Sequence, residues 1–167
     1  DIVIADIGVT ESAANDDSKP DNTDHAEDLA DEIEASTDSE AVIVECDVTN
    51  ADQTAEMIDA TLDKFGQLDI LVNNAGIITY SPVEELDESE WDAVMDVNAK
   101  GVFLCSRAAI PELKDGGSII NTASIAGEMS AAGIAHYAAS KHAVMALTKT
   151  LALELAEDDV TVNAICP

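Results

Sequence analysis

Tyr137 and Lys141 stand one helical turn apart, at i and i+4, and share a face of any helix that carries them. A lone phenol exchanges protons poorly near neutrality. An ammonium one turn away stabilises the phenolate form, so the two together are a candidate proton-transfer unit. Ser124, upstream, supplies a hydroxyl that can hydrogen-bond a substrate oxygen. Further residues end or follow an apolar run: Asp6 at the end of 1–6, Asp47 and Val48 after 41–46, and Asn73-Asn74-Ala75-Gly76 at the end of 68–73. In open α/β sheets, ligands sit beyond the carboxyl ends of the strands, so these positions are candidate ligand contacts.

The elements that must position them alternate along the chain. Apolar runs predict strands at 2–6, 41–46, 68–73, 118–124 and 160–165, and those buried on both faces read as continuously apolar. Helical periodicity predicts helices over 24–35, from a cap at Thr49 or Asn50 to Phe65, over 89–98 around Trp91, Val94 and Met95, and over 99–113 and 134–156. Residues 8–24 are polar and turn-rich, and predict a surface loop insert. Strands alternating with helices call for parallel pairing, hence an α/β fold with a doubly wound sheet in one domain over 1–167.

Composition excludes several partners. The 167 residues carry 35 Asp plus Glu against 7 Lys plus Arg, a formal net charge of −28. That field repels nucleic acid and anionic membrane. The acids interleave with Val, Ile, Leu and Ala at regular periods, which marks a hydrated folded surface suited to high salt, not a disordered tail. No apolar run reaches the length of a membrane-spanning helix. Cys46, Cys105 and Cys166 show no metal-ligand spacing and read as buried thiols of a reducing cytoplasm. His25, His136 and His142 share no ligand spacing, and His142, next to Lys141, reads as a helix-surface residue.

These motifs, in this order, resemble the short-chain dehydrogenase/reductase family over nearly the whole chain. The resemblance rests on Asp47-Val48-Thr49, Asn73-Asn74-Ala75-Gly76, Asn98 in Met95-Asp96-Val97-Asn98, Ser124, Tyr137-Ala138-Ala139-Ser140-Lys141, and Val162-Asn163-Ala164-Ile165-Cys166-Pro167. It implies a Rossmann-like, three-layer α/β/α doubly wound parallel sheet, here missing its first strand and the glycine-rich phosphate loop that follows it. It also implies an NAD(P)-dependent oxidoreductase interconverting a secondary alcohol and a ketone. In that reading Tyr137 is the general acid/base, Lys141 tunes it and holds the nicotinamide ribose, Ser124 fixes the substrate oxygen, and Asn98 holds a water of the proton relay. The implied cofactor contacts are Asp6, Asp47, Val48, Asn74, Ala75, Gly76, Tyr137, Lys141 and Pro167.

Plainer roles compete at each position. Tyr137 could pack on the sheet, Lys141 could be solvated, Ser124 could cap a turn, Asn98 could cap a helix end, and Asp6 could start a loop. Asp6 favours NAD over NADP, because a carboxylate accepts from ribose hydroxyls and repels a 2′-phosphate, and no cation follows within ten residues. The substrate is a small alcohol or ketone (a 3-oxoacyl thioester, a sugar or a simple secondary alcohol). A non-catalytic scaffold subunit is the alternative. Alanines 108, 109, 138, 139, 143 and 146 form stripes flat enough for helix packing across a two-fold axis, and the resemblance implies a homodimer or homotetramer.

Overall fold

Parallel pairing is what the alternating pattern demands, and every described strand pairs that way. The computed structural model describes residues 1–7, 23–113 and 116–167, without the side chains of 23 and 24. The insert expected at 8–24 therefore lies, up to residue 22, outside the described residues. The chain divides into two compact units, Asp1–Gln67 and Leu68–Pro167, and its described strands form two parallel sheets. This is the α/β, Rossmann-like class that the sequence predicts.

In the first unit, β1 (Ile2–Asp6) pairs with β2 (Ala41–Glu45) in register from Ile2↔Ala41 to Asp6↔Glu45. Helix α1 (Thr23–Ser36) turns Ala26 and Ala30, four apart, into the core. Helix α2 (Ala51–Phe65) buries Thr54, Met57, Ile58 and Thr61, an i, i+3, i+4, i+7 stripe. Asn50 caps α2, its Oδ1 accepting from the N–H groups of Asp52 and Gln53 at 2.9 and 3.3 Å. Thr49 is not the cap, since its N–H and hydroxyl both donate to Asp47 Oδ1 at 2.8 Å. Gly66 ends α2 at φ 76°, a left-handed conformation that glycine adopts without penalty. The expectation that 2–6 is buried on both faces fails: none of Ile2–Asp6 is fully buried. In a sheet of two strands both are edges, which leaves them partly open.

In the second unit the order is β3 (Ile70–Asn73), β4 (Ser118–Thr122), β5 (Thr161–Ile165). Asn73 lies opposite Asn121, and its Nδ2 donates to Asn121 Oδ1 at 2.8 Å and Ser106 Oγ at 3.1 Å. Asn121 Nδ2 in turn donates to Thr148 Oγ1 at 2.9 Å. This buried polar chain fixes the register of β3 and β4 beneath their helices, because each of its members would be costly to bury unpaired.

Helix α3 (Glu88–Met95) runs through a five-residue π turn (Asp96–Lys100) into α4 (Gly101–Ala109). The sequence predicts two helices meeting at 98 and 99, whereas the backbone stays helical throughout and takes up a wider turn there. Helix α5 (Ala135–Glu154) follows the short 3₁₀ turn Ile125–Gly127, which packs tightly against it. A Cβ at Gly127 would lie 3.0 Å from Lys141 O and from Met145 Cγ. Val94, Leu104, Ala109, Leu113, Ile119, Val144 and Val162 are among the buried residues of this core.

Some expectations change. Trp91 is 39% exposed, leaving Val94 as the inward residue of α3. Strand β3 buries Leu71 and Asn73 but leaves Ile70 and Val72 more than half exposed, because only one of its faces meets α4. Cys46 and Cys105 are buried, but Cys166 is exposed just past β5. Burial, together with the Asp47 and Glu56 carboxylates, pushes the Cys46 thiol up. The alanine stripes are partly spent inside the unit: Ala109 and Ala138 are buried, and Ala146 alone of the six is exposed. No described helix is long and apolar enough to cross a membrane.

Candidate active site

The carboxyl ends of β3 and β4 and the first turns of α5 bound a cleft of about 310 Å³. Asn74, Gly76, Ile77, Ile78, Thr122, Ala123, Ser124, Tyr137, Lys141 and Pro167 line it. The chain reaches this arrangement locally. Parallel strands end at the same edge of the sheet, so the residues after β3 and β4 emerge together. Helix α5 starts at Ala135, so Tyr137 and Lys141 fall on its first two turns.

Lys141 is 4% exposed, and its Nζ donates to Thr122 O at 2.7 Å, 5.6 Å from the centre of the Tyr137 ring. The ammonium is thus held by a strand-end carbonyl beside the phenol, and the solvated-lysine alternative fails. Burial holds Lys141 below the usual lysine range. Ser124 Oγ accepts from Ala126 N–H at 3.2 Å and so caps the 3₁₀ turn. A hydroxyl that accepts keeps its own proton to give, so capping and substrate binding are compatible.

Asn98 sits on the π turn and is fully buried. Its Oδ1 accepts from Ile77 N–H at 2.8 Å, and its Nδ2 donates to Ile77 O at 2.9 Å and Ser140 Oγ at 3.0 Å. Ser140 Oγ donates to Tyr137 O at 2.7 Å. Asn98 is therefore not a helix-end cap, the plainer role open to it. It ties the loop after β3 to the first turn of α5, and both of its amide protons are committed.

A nicotinamide cofactor is what the family resemblance implies, and the floor of the cleft fits one. A Cβ at Gly76 would stand 3.4 Å from Asn98 Oδ1 and 3.6 Å from Lys141 Nζ. Glycine therefore keeps open the space in front of the ammonium, where a flat ring or a ribose could lie. Asn74 is steadied by Thr122 Oγ1, which donates to its Oδ1 at 3.1 Å. Pro167 O accepts from Ile125 N–H at 3.2 Å, so the segment after β5 forms one wall.

The cleft thus brings together Asn74, Gly76, Ser124, Tyr137, Lys141 and Pro167, with Asn98 directly behind it. Ala75 is exposed and does not line it. Asp6, Asp47 and Val48 belong to the first unit, where Asp6 ends β1 and Asp47 forms the Thr49 turn. His136, which has no ligand spacing in the sequence, falls with Ser140 and Val144 (i, i+4, i+8) on the inward face of α5. It is fully buried against Thr79, with 2.6 Å between His136 Nε2 and Thr79 Oγ1.

Comparison with known proteins places the chain among relatives of one family. The chain is 45% identical over 130 residues to a 3-oxoacyl-(acyl-carrier-protein) reductase of Synechocystis, covering 77% of this chain and 53% of that protein. It is 42% identical over 146 residues to the corresponding Staphylococcus epidermidis reductase, covering 86% of this chain and 59% of that one. The chain thus spans little more than half the length of these relatives. Among solved structures, a short chain dehydrogenase from Mycobacterium smegmatis superposes with a TM-score of 0.85 at 35% identity, covering all of this chain and 65% of that one. A Burkholderia phymatum short chain dehydrogenase/reductase, solved in complex with NAD, superposes at 0.84 and 32% identity, covering 99% of this chain and 55% of that one. The model of the short chain dehydrogenase family matches residues 19–167, so the chain belongs to that family.

Proposed function

We propose that the protein is an NAD(H)-dependent oxidoreductase that interconverts a secondary alcohol and a ketone. The observation that carries this reading is the meeting of Ser124, Tyr137 and Lys141 in one cleft, with Lys141 Nζ clamped by Thr122 O beside the phenol ring. Three groups suited to one proton transfer would seldom meet in a cleft that serves only as a scaffold.

In ketone reduction, Ser124 donates to the carbonyl oxygen and orients it toward the Tyr137 hydroxyl. Tyr137 gives its proton to that oxygen as the alkoxide develops, and takes it back in alcohol oxidation. Lys141 stabilises the phenolate left behind, an electrostatic effect strengthened by burial. Its remaining protons are placed to hold a ribose. A bound nicotinamide supplies or accepts the hydride. Asn98 holds Ile77 and the first turn of α5 in place and stands where a proton relay to water would begin. Asn74, Gly76 and Pro167 would bind the nicotinamide half, with Ala75 meeting the cofactor outside the cleft. Asp6 would bind the adenosine ribose and select NAD, with Asp47 and Val48 contributing near the adenine.

The relatives' names make a 3-oxoacyl thioester the first substrate class to try. A two-fold assembly through α4 and α5, in a salt-rich cytoplasm, completes the proposal. The test is an assay of the whole protein in molar salt with NADH and NADPH, against 3-oxoacyl thioesters, sugars and simple ketones. Oxidation of NADH by at least one ketone is expected. Absence of turnover with every ketone and both cofactors would contradict the reading.

A further inference from the structure

His136 precedes Tyr137 on the first turn of α5, yet the two side chains diverge. Tyr137 faces the cleft, and the imidazole is fully buried behind it. The ring reaches back to the loop after β3, where Thr79 Oγ1 lies 2.6 Å from its Nε2, while Nδ1 has no partner among the described residues. An unpaired buried N–H is costlier than an unpaired lone pair, so the proton belongs on Nε2 and is donated to Thr79. A buried imidazole left half-satisfied is a poor choice for packing alone. The same loop is held twice more: Ile77 by Asn98, and Ser81 N–H by Gly133 O at 2.9 Å. Ile77, itself one of these ties, and Ile78 line the same cleft as Tyr137.

We propose that His136 is a positioning residue, and that its bond to Thr79 sets how far the Ile77–Ile78 wall stands from the Tyr137 hydroxyl. The strap joins the wall that receives substrate to the backbone that carries the acid/base. Losing it would move both, raising KM through the wall and lowering kcat through misplaced proton transfer. This role rests on the ketoreductase reading given above.

The test uses the whole protein, with rates expressed per folded cofactor-binding site. His136→Phe keeps the ring volume and removes the bond, and kcat/KM is expected to fall by about 10- to 100-fold, shared between KM and kcat. Thr79→Val, at a half-buried loop position, should reproduce this without threatening the core. The double variant should be no worse than either single one, because the two residues share one bond. His136→Gln, whose amide reaches the position of Nε2, and Thr79→Ser should each restore most of the rate. Unchanged KM and kcat in both His136→Phe and Thr79→Val, with only a lowered Tm, would overturn the proposal and leave a structural residue. An inactive wild type would instead overturn the ketoreductase reading, and with it any role in turnover. The ¹⁵N spectrum of the histidine rings is a second check: a bare Nδ1 and a protonated Nε2 at His136 are expected, and the opposite tautomer would overturn the assigned donor.

Discussion

The two units are built from the same alternation but hold it together differently. Residues 1–67 carry 20 of the 35 acids and two of the seven cations, and their described residues bury a thin core of Ala26, Ala30, Cys46, Met57 and Ile58. Residues 68–167 carry fewer acids, a larger apolar core and the buried chain Asn73–Asn121–Thr148. Lys141, Asn98 and His136 are all buried in this second unit. The difference teaches where chemistry can be placed. Burying a lysine and an imidazole needs a packed surround with polar partners within reach, which the second unit supplies through Thr122 O and Thr79 Oγ1. The first unit presents its carboxylates near the surface, suited to contacting a polar ligand but not to moving a proton.

The largest effect should follow from removing salt. With so many like charges and so little core, residues 1–67 should lose their fold first in dilute buffer, as screening weakens below about 0.1 M salt. Amide exchange across the two units in about 2 M and about 0.05 M KCl checks this. Equal protection of both units at both concentrations would erase the distinction drawn here.

Next in size are variants of the second unit. Lys141→Ala should cut kcat/KM by about 100- to 1000-fold and weaken cofactor binding as well. Burial lowers the Lys141 pKa, so its ammonium is lost at lower pH than that of an ordinary lysine. The rate should therefore fall on the alkaline side before the usual lysine range is reached, and Lys141→Arg should move that fall to higher pH. A pH–rate profile of both proteins measures it. Asn98→Ala strands the N–H and C=O of Ile77 and should cost about 2–4 kcal/mol of stability. Chemical denaturation would detect that loss, and a change below 1 kcal/mol would count against it.

The smallest expected effect lies in the first unit. Asp6→Ala should leave kcat with NADH nearly intact and shift the NADPH/NADH preference toward NADPH by roughly tenfold, since one repulsion is removed. Steady-state kinetics with both cofactors measures the ratio.

Much of this was legible in the sequence, for local reasons. The strand ends and the Tyr137–Lys141 spacing are short-range patterns, and the structure places Ser124, Tyr137, Lys141, Asn74 and Gly76 around one cleft as that pattern requires. What was hidden depends on distant partners. The π turn at Asn98 is visible only once Asn98 is seen bonding Ile77, 21 residues away. The exposed sides of Trp91, Ile70 and Val72 and the exposed Cys166 reflect which elements cover which face, and periodicity does not state that. His136 was obscured because its partner, Thr79, lies 57 positions away in a loop.

The central claim is that Tyr137, in the second unit, moves the proton. Tyr137→Phe deletes only the hydroxyl, so the fold, Lys141 and the space above Gly76 should survive. Single-turnover rates and calorimetric NAD(H) titration of the whole protein in molar salt measure the two consequences together. Turnover should fall by about 1000-fold while the NAD(H) Kd stays within about twofold. A variant retaining more than roughly a tenth of the wild-type rate would show that another group supplies the proton.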